Sequence, residues 1–580
     1  GMDRVRWLGA AAVGAVLAAP QLVATLELVQ FSMRDGGVGD LFANVGRLPP
    51  QELVGAVLPA AFGFDRPADV GQTYYHRGTG YWGAGVNHWE MCFYLGIPVV
   101  VLAMIGARRS KAWAIAGAVA TLLMLGGPLW GLVRHLPGFD GFRFPARFAV
   151  WTTIAFAVLA AHGVHELRRV NGQVLAWRLR LVAAGFFLCT GLAFAALHVF
   201  EAPIVAFGEA HFRAQADVEA HLPPPPDPGP LAKAALPPPE AEDVAAIPAK
   251  VAHILADLRW STSPGSPRVL VPFALLLLAS FVGRRPKLWL ALVLADLWRF
   301  GHDYHPRVPA AEVDARPAWL GEGMTEPGGP RLTVLDRRIA PTLDTSLGSA
   351  SLGLPWGTSD VFLPTPLLLL RNDATLALAG LDIGEPGPGK VRSYLANIDV
   401  ARRMALRWVA TTHKVGGLVP LVRGPINVYT DPAALPRGRM VTCTRGVTTV
   451  EEAFAKIQEV PLSEAVVEGQ GDCPGAATWT AADLDYGDTR VSAVVTGPGT
   501  FVLADTWYPR WTADVDGLST PILRTDVLFR GVPVPAGEHT VTFRFDPGLP
   551  GTLLVSSGFL GMIVLTVALV DERRRNTFAR

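Results

Sequence analysis

Leu122–Val133 (LLMLGGPLWGLV), Gly138–Phe148 (GFDGFRFPARF) and Ala149–Ala161 (AVWTTIAFAVLAA) follow one another as an apolar run, a short polar segment and a second apolar run. That order predicts two membrane helices joined by a hairpin at the membrane surface. Arg143 and Arg147 stand four residues apart around Pro145. The proline rules out a regular helix through the turn, so both guanidinium groups are expected beside aromatic rings at headgroup depth. Two planar forks at that depth suit a lipid phosphate. The competing explanation is that the arginines only anchor the hairpin at the interface, where long basic side chains snorkel.

The rest of the chain has the composition such a hairpin needs. Half of the 580 residues are hydrophobic, 17% are charged and mean hydropathy is +0.31, which excludes a wholly soluble globular class. A formal charge of +1 excludes a nucleic-acid binder, which would carry a concentrated basic excess. Apolar windows of about twenty residues fall near 7–27, 91–107, 113–133, 148–166, 181–200, 267–283, 287–304 and 552–570, predicting about eight spans. The basic connectors are Arg4 and Arg6; Arg108, Arg109 and Lys111; Arg168, Arg169, Arg178 and Arg180; Arg284, Arg285 and Lys287; and Arg573–Arg575. If the spans alternate, all of these lie on one side, which puts both termini in the cytoplasm by the positive-inside rule. The predicted fold is therefore a polytopic α-helical membrane protein, with a membrane domain over 1–304 and a last helix and cytoplasmic tail over 551–580. Loops 28–90 and 201–266, the arginine hairpin and a mixed α/β to mostly β domain over 305–550 fall on the exported side. The first span runs straight into LELVQFSMRDGG with no small-residue cleavage site, unlike a cleaved signal peptide.

Glu27, Ser32 and Arg34 leave the first helix into loop 28–90, where Pro50 opens a short apolar helix. The loop ends in YYHRGTGYWGAGVNHWE, so that His88, Trp89 and Glu90 stand at the mouth of the second span. Aromatic faces stack on sugar rings while His, Asn and Glu bond hydroxyls, so a sugar site is one explanation and an aromatic belt the other. The prolines of HLPPPPDPGPLAKAALPPPEAED, in loop 201–266, favour extended segments without a packed core, and VAAIPAKVAHILADLRW after it has helical apolar spacing. Asp296 and Arg299, three apart in the span near 287–304, are placed to pair on one helix face.

From 305 to 550 short β-branched and aromatic runs alternate with Gly and Pro, and 489–547 predicts a small antiparallel sandwich. Cys443 and Cys473 both lie in this region, where oxidation is permitted if it is exported, and a disulfide between them is expected; Cys92 and Cys189 lie in apolar spans. Trp507, Tyr508 and Trp511 form either a sugar platform or part of the core and its membrane contact. GEPGPGK at Gly384–Lys390 has phosphate-loop spacing, but Val391 replaces the Mg²⁺-binding hydroxyl and two prolines remove backbone donors, so it is read as a loop. The H-E-x-x-H, C-x-x-C and G-x-S-x-G patterns do not occur, leaving zinc hydrolysis and serine-type acyl transfer without support.

APQLVATLELVQFSMR, Trp89-Glu90, GFRFPARF, ALPRGRMV from Ala434, WYPRWTADVDG and FRGVPVPAGEHTVTFRFDP together resemble the YfhO-type bacterial membrane proteins, which belong with the GT-C polytopic glycosyltransferases. The resemblance implies transfer of a sugar from a polyprenyl-phosphate donor to a cell-envelope acceptor on the outer face of the bacterial cytoplasmic membrane. Members usually carry further helices upstream, so the chain looks like the C-terminal portion of a longer protein, and the exported acidic loop that usually supplies the base or metal ligand is expected there. The catalytic residue is accordingly unassigned. Glu90 is the candidate for a supporting role, while Arg143, Arg147, Glu27, Arg34, His88 and Trp89 are the candidate substrate-binding residues. No metal site is assigned, and the cofactor is left unassigned, a divalent cation being one possibility. A non-catalytic transporter or flippase of lipid-linked glycans and a membrane-anchored glycan-binding protein are the alternatives.

Overall fold

The structure is a computed structural model. It describes residues 2–32, 34–35, 43–44, 46–59, 61–62, 91–136, 139, 142, 145–220, 247–304, 316–334, 356–361, 369–381, 397–411, 414–424, 426–548, 551–553, 555–557 and 561. The membrane-type part consists of α1 (Met2–Val29), α2 (Ile97–Gly106), α3 (Lys111–Met124), α4 (Gly127–Val133), α5 (Ala149–Glu166), α6 (Gly172–Val199), α7 (Glu201–Ala220), α8 (Ile247–Thr262), α9 (Pro267–Val282) and α10 (Pro286–Tyr304). Starts follow local chemistry. Asn171 accepts from Gln173 N at 3.0 Å and Val174 N at 3.2 Å to open α6, and Ser266 accepts from Arg268 N at 3.2 Å to open α9.

Among the described residues, four segments are long and apolar enough to cross a membrane: Ala12–Val29, Pro145–Glu166, Gly172–Val199 and Ile247–Val282. A fifth is reached if α3 and α4, bent by 94°, count as one span. Eight simple spans are not seen, for identifiable reasons. Over 91–107 the chain is extended through Gly96, at φ +89, and the α2 helix has ten residues. That is about 15 Å, half the hydrocarbon thickness. Over 113–133 Gly126 and Gly127, at φ +72 and +73, break the helix. A helix does cover 287–304, but Lys287, Asp296, Arg299 and Asp303 make it too charged for an ordinary span. The window at 552–570 falls mostly outside the described residues. Loop 201–266 is largely helical in its described part, as α7 and α8, while its proline-rich centre lies outside.

Two glycines bring α2 and α5 into backbone contact. A Cβ on Gly163 would meet Leu102 O at 1.9 Å, and one on Gly106 would meet Leu159 O at 1.9 Å. The Leu102–Gly106 and Leu159–Gly163 pairs thus interlock at i, i+4 spacing, as small residues do between membrane helices. At the end of this pair Arg109 Nη1 bonds Glu166 at 2.7 Å, and Arg284 Nη1 bonds Arg168 O at 3.3 Å. Three of the basic connectors are therefore neighbours in space.

The described residues of the C-terminal part form two mixed sheets. The first, in order β1-β2-β4-β3, joins β1 (Arg331–Val334), β2 (Leu406–Thr411), β3 (Val419–Val422) and β4 (Asn427–Thr430), with β1 and β2 parallel. The second is ten-stranded: β5 (Gly438–Val441), β6 (Cys443–Val447), β7 (Glu464–Glu468), β8 (Trp479–Ala481), β9 (Asp485–Tyr486), β10 (Arg490–Thr506), β11 (Trp511–Val515), β12 (Leu518–Thr520), β13 (Leu523–Thr525) and β14 (Phe529–Phe545). Three short helices, α11 (Leu370–Leu378), α12 (Ile398–Arg403) and α13 (Val450–Lys456), complete it. Alternation sends Val502 and Ala504 into the core shared with the first sheet, and Phe501 and Leu503 into a second core.

That second core reveals how the expected two-layer form at 489–547 arises. Phe501 pairs with Val532, while Phe543 pairs with Val491, ten positions away along β10. A straight strand would separate those pairs by about 33 Å. The Phe501 and Phe543 rings are 6.1 Å apart. The long β10–β14 hairpin therefore folds back on itself, with its corner at the register break between Gly497 and Gly499. A Cβ on Gly497 would meet Pro535 O at 1.9 Å, so the crossing chains require glycine there. The layers belong to one continuous sheet rather than two. Cys443 and Cys473 are joined in a disulfide that ties β6 to the loop between β7 and β8.

Candidate functional site

The last turn of α1 is built into the sheet domain. Ser32 Oγ donates to Val29 O at 2.9 Å and accepts from Arg34 N at 3.1 Å, turning the chain sharply as it leaves the helix. Facing it is Trp507-Tyr508-Pro509-Arg510, the link between β10 and β11. Arg510 Nε donates to Glu27 Oε1 at 2.7 Å and its Nη2 to Oε2, while Tyr508 OH donates to Oε1 at 2.9 Å. This is the two-pronged carboxylate geometry that arginine favours. Burial, then the Glu27 carboxylate, push the Tyr508 phenol up to about 12, so it remains a donor. Phe31 stands edge-on to Tyr508 at 5.5 Å and near Trp507 at 6.5 Å, and its carbonyl accepts from Leu370 N at 3.0 Å. Ser32 pairs with Leu369 in an isolated antiparallel bridge.

From this junction the chain reaches Arg34, on which the charge of Arg147 acts. Arg147 lies on a 3₁₀ turn, Pro145–Phe148, which agrees with the irregular turn expected at Pro145. Ala146 N donates to Gly46 O at 3.1 Å, Leu48 N to Met124 O at 3.0 Å, and Trp130 Nε1 to Ala43 O at 3.2 Å. The turn, the α3–α4 break and residues 43, 46 and 48 thus form one packed unit. Burial, then the charge of Arg147, hold the Arg34 guanidinium below the ordinary arginine range. Two arginines distant in sequence are close enough to repel, in surroundings partly removed from water. An anion with several oxygens is the ligand such a pair favours.

Of the residues expected to bind substrate, Arg34 and Arg147 are described and the charge of Arg147 is felt at Arg34. Glu27 belongs to the same region but gives both carboxylate oxygens to Arg510 and Tyr508, so its role here is to join α1 to the sheet domain. Arg143, His88, Trp89 and Glu90 lie outside the described residues, as does Gly384–Lys390. Trp507 is covered by the Arg524 guanidinium at 3.8 Å, and Trp511 lies between Phe545, at 5.4 Å, and Arg530, at 3.8 Å. An arginine over each ring fits the reading of these tryptophans as part of the core and junction. Asp296 accepts from Tyr94 OH at 2.6 Å and from Ile97 N at 3.1 Å, capping the broken α2 helix instead of pairing simply with Arg299. Among the described residues no group of three or more His, Cys, Asp or Glu side chains is arranged to hold a metal ion.

Sequence reasoning missed the charged interior of the sheet domain. Asp505 accepts from Arg331 Nη2 and Arg437 Nε, each at 2.8 Å, and from Tyr486 OH at 3.0 Å, with Arg530 at 3.7 Å. Asp526 accepts from Arg403 at 3.2 Å, Arg439 at 2.6 Å and Val466 N at 2.9 Å. The available signal was arginine inside otherwise apolar strands, as in GRMV and LFRGV. No protein-family model, curated protein or solved structure matches the chain.

Proposed function

We propose that this chain is a membrane glycosyltransferase, or the C-terminal portion of one, that takes a sugar from a polyprenyl-phosphate donor at the outer face of the bacterial cytoplasmic membrane and passes it to a cell-envelope acceptor. The observation that carries this is the guanidinium of Arg34, two residues past the α1 to sheet-domain junction at Ser32 and subject to the charge of Arg147. Glycosyl transfer from such a donor needs positive charge near the departing phosphate, and a guanidinium pair supplies it. The resemblance to YfhO-type proteins supplies the reaction class, and its motifs contain Glu27, Arg34, Arg147 and Arg510. The clustered basic connectors favour a cytoplasmic position for that end of the bundle. Helix α5 would separate them from Arg147 by about 27 Å, close to the hydrocarbon thickness.

A specific observation favours the transporter as second reading. The half-length α2, opened by extended chain and capped by an acid from α10, resembles the discontinuous helices on which transporters build mid-membrane sites. Reconstituted protein supplied with a polyprenyl-phosphate sugar separates the two. Release of polyprenyl phosphate with transfer of the sugar supports the enzyme, whereas movement of intact lipid between leaflets supports the transporter. In either case Arg147→Ala should lower the rate at least about tenfold, with Arg147→Lys rescuing poorly because the planar fork is lost. Unchanged rates in both Arg147→Ala and Arg34→Ala would remove the phosphate role.

A further inference from the structure

We infer that Arg510 is a positioning residue for the lipid-phosphate site: by clamping Glu27 it fixes the chain segment that carries Arg34. The inference rests on the phosphate role proposed for Arg34 and Arg147, and adds that the sheet domain sets the geometry of the membrane site. A continuous physical path supports it. Arg510 and Tyr508 hold the Glu27 carboxylate, so the last turn of α1 cannot rotate or slide without breaking a forked ion pair. Phe31, one helical turn later, is gripped by Tyr508 and Trp507 and by the Leu370 N–H. Ser32 is pinned to Leu369 and caps the turn into Arg34 through its hydroxyl. The path thus ends at the Arg34 backbone, which Ser32 Oγ holds, while Arg147 stands on a turn anchored to Gly46 through Ala146 N.

The other end of the path is equally fixed. Arg371, next to Leu370, donates to Val527 O at 3.0 Å and pairs with Glu468 of β7. Arg524 pairs with Glu468 at 3.8 Å and covers Trp507. The Trp507-to-Arg510 link is therefore tied to the ten-stranded sheet on both sides of the Glu27 contact. Arg510 gives its Nε and Nη2 to Glu27. Its effect on ligand would have to pass through Glu27 and the α1 exit.

A double-mutant cycle on the full chain in detergent, with farnesyl phosphate as probe and inorganic phosphate as control, tests this. Arg34→Ala and Arg147→Ala should each weaken farnesyl phosphate binding by about tenfold, reporting the site itself. Arg510→Ala should weaken it by about fivefold, with Glu27→Gln giving a similar loss from the other side of the clamp. In the Arg34→Ala background, Arg510→Ala should cause no further loss, because the residue it positions is gone. A role confined to general stability would instead multiply the two losses to about fiftyfold, and would overturn the inference. So would unchanged binding in both Arg510→Ala and Glu27→Gln while Arg147→Ala still weakens it, a result that leaves the phosphate site standing. Unchanged binding in Arg34→Ala and Arg147→Ala would remove the site and the inference together. If Arg510→Ala does not fold, Arg510→Lys, which keeps the charge without the fork, takes its place in the same cycle.

Discussion

Asp505 faces three arginines in a part of the sheet domain that water barely reaches. Burial pushes its carboxyl up, but Arg331, Arg437 and Arg530 outweigh that effect and hold it below the ordinary carboxylate range. Burial and neighbouring arginine charge in turn bring Arg331 down to about 10. Asp505→Asn would leave these guanidinium groups buried without their counter-charge, which should cost roughly 3 kcal/mol or more. Chemical denaturation of the full chain in detergent measures it, and a loss below about 1 kcal/mol would contradict this account of the interior. At the solvent-exposed tip, Asp516 accepts from His539 Nδ1 at 2.6 Å. That bond, then the Ala536 carbonyl, raise the His539 pKa, and the same bond lowers that of Asp516. The stabilisation by His539 is complete below the ordinary histidine value and disappears as pH rises through the higher folded value, while the Asp516 contribution disappears as pH falls through its lowered one. Amide exchange at the tip, corrected for its intrinsic pH dependence, should therefore show greatest protection between those limits, and His539→Gln should abolish the upper limb. Such pairings were poorly legible in the sequence, because a charged residue in a strand does not name its partner across the fold. Arg34 and Arg147 were legible as candidates through residue type and expected depth, but their proximity depends on contacts between distant segments.

Glycine placement decides how several elements meet. Gly96 needs its positive φ, and a Cβ there would lie 2.9 Å from Asp296 Oδ2. Gly106 and Gly163 let α2 and α5 touch, so Gly163→Leu should force them apart and destabilise the membrane part by about 1–3 kcal/mol. A fall in the thermal midpoint of purified full-length protein would register this, and an unchanged midpoint would contradict the close approach. The strands and turns at 489–547 were legible because alternation and Gly-Pro punctuation are local signals; Gly497-Pro498-Gly499 marks the corner where the hairpin folds back. The spans were less legible. A hydropathy window averages over Gly96 and Gly126-Gly127 and cannot register that an acid from α10 caps α2 or that a helix bends by 94°. The Cys443–Cys473 pairing was anticipated from their shared domain, and their separation of 30 residues implies stabilisation of roughly 3 kcal/mol in the loop-entropy account. Reduction should lower the denaturation midpoint of the sheet domain while leaving the helix content of the membrane part intact.

Among the described residues, four or five membrane-type helical spans accompany a mixed-sheet domain, which the Glu27–Arg510 junction joins to α1. Arg109, Arg168 and Arg284 gather at the end of the bundle remote from the Arg147 turn, so single cysteines at Arg169 and Ser519 should label from opposite sides of sealed vesicles. Labelling of both from one side would contradict the proposed orientation. The central claim is that the Arg34 and Arg147 region holds a polyprenyl phosphate, and photo-cross-linking tests it most directly. A farnesyl phosphate analogue with a photoreactive group near its headgroup, followed by peptide mapping, should label residues around 32–35 and 145–148 of the full chain, with labelling suppressed by excess farnesyl phosphate and reduced in Arg147→Ala. Labelling confined to other segments, or equal labelling of wild type and Arg147→Ala, would contradict it.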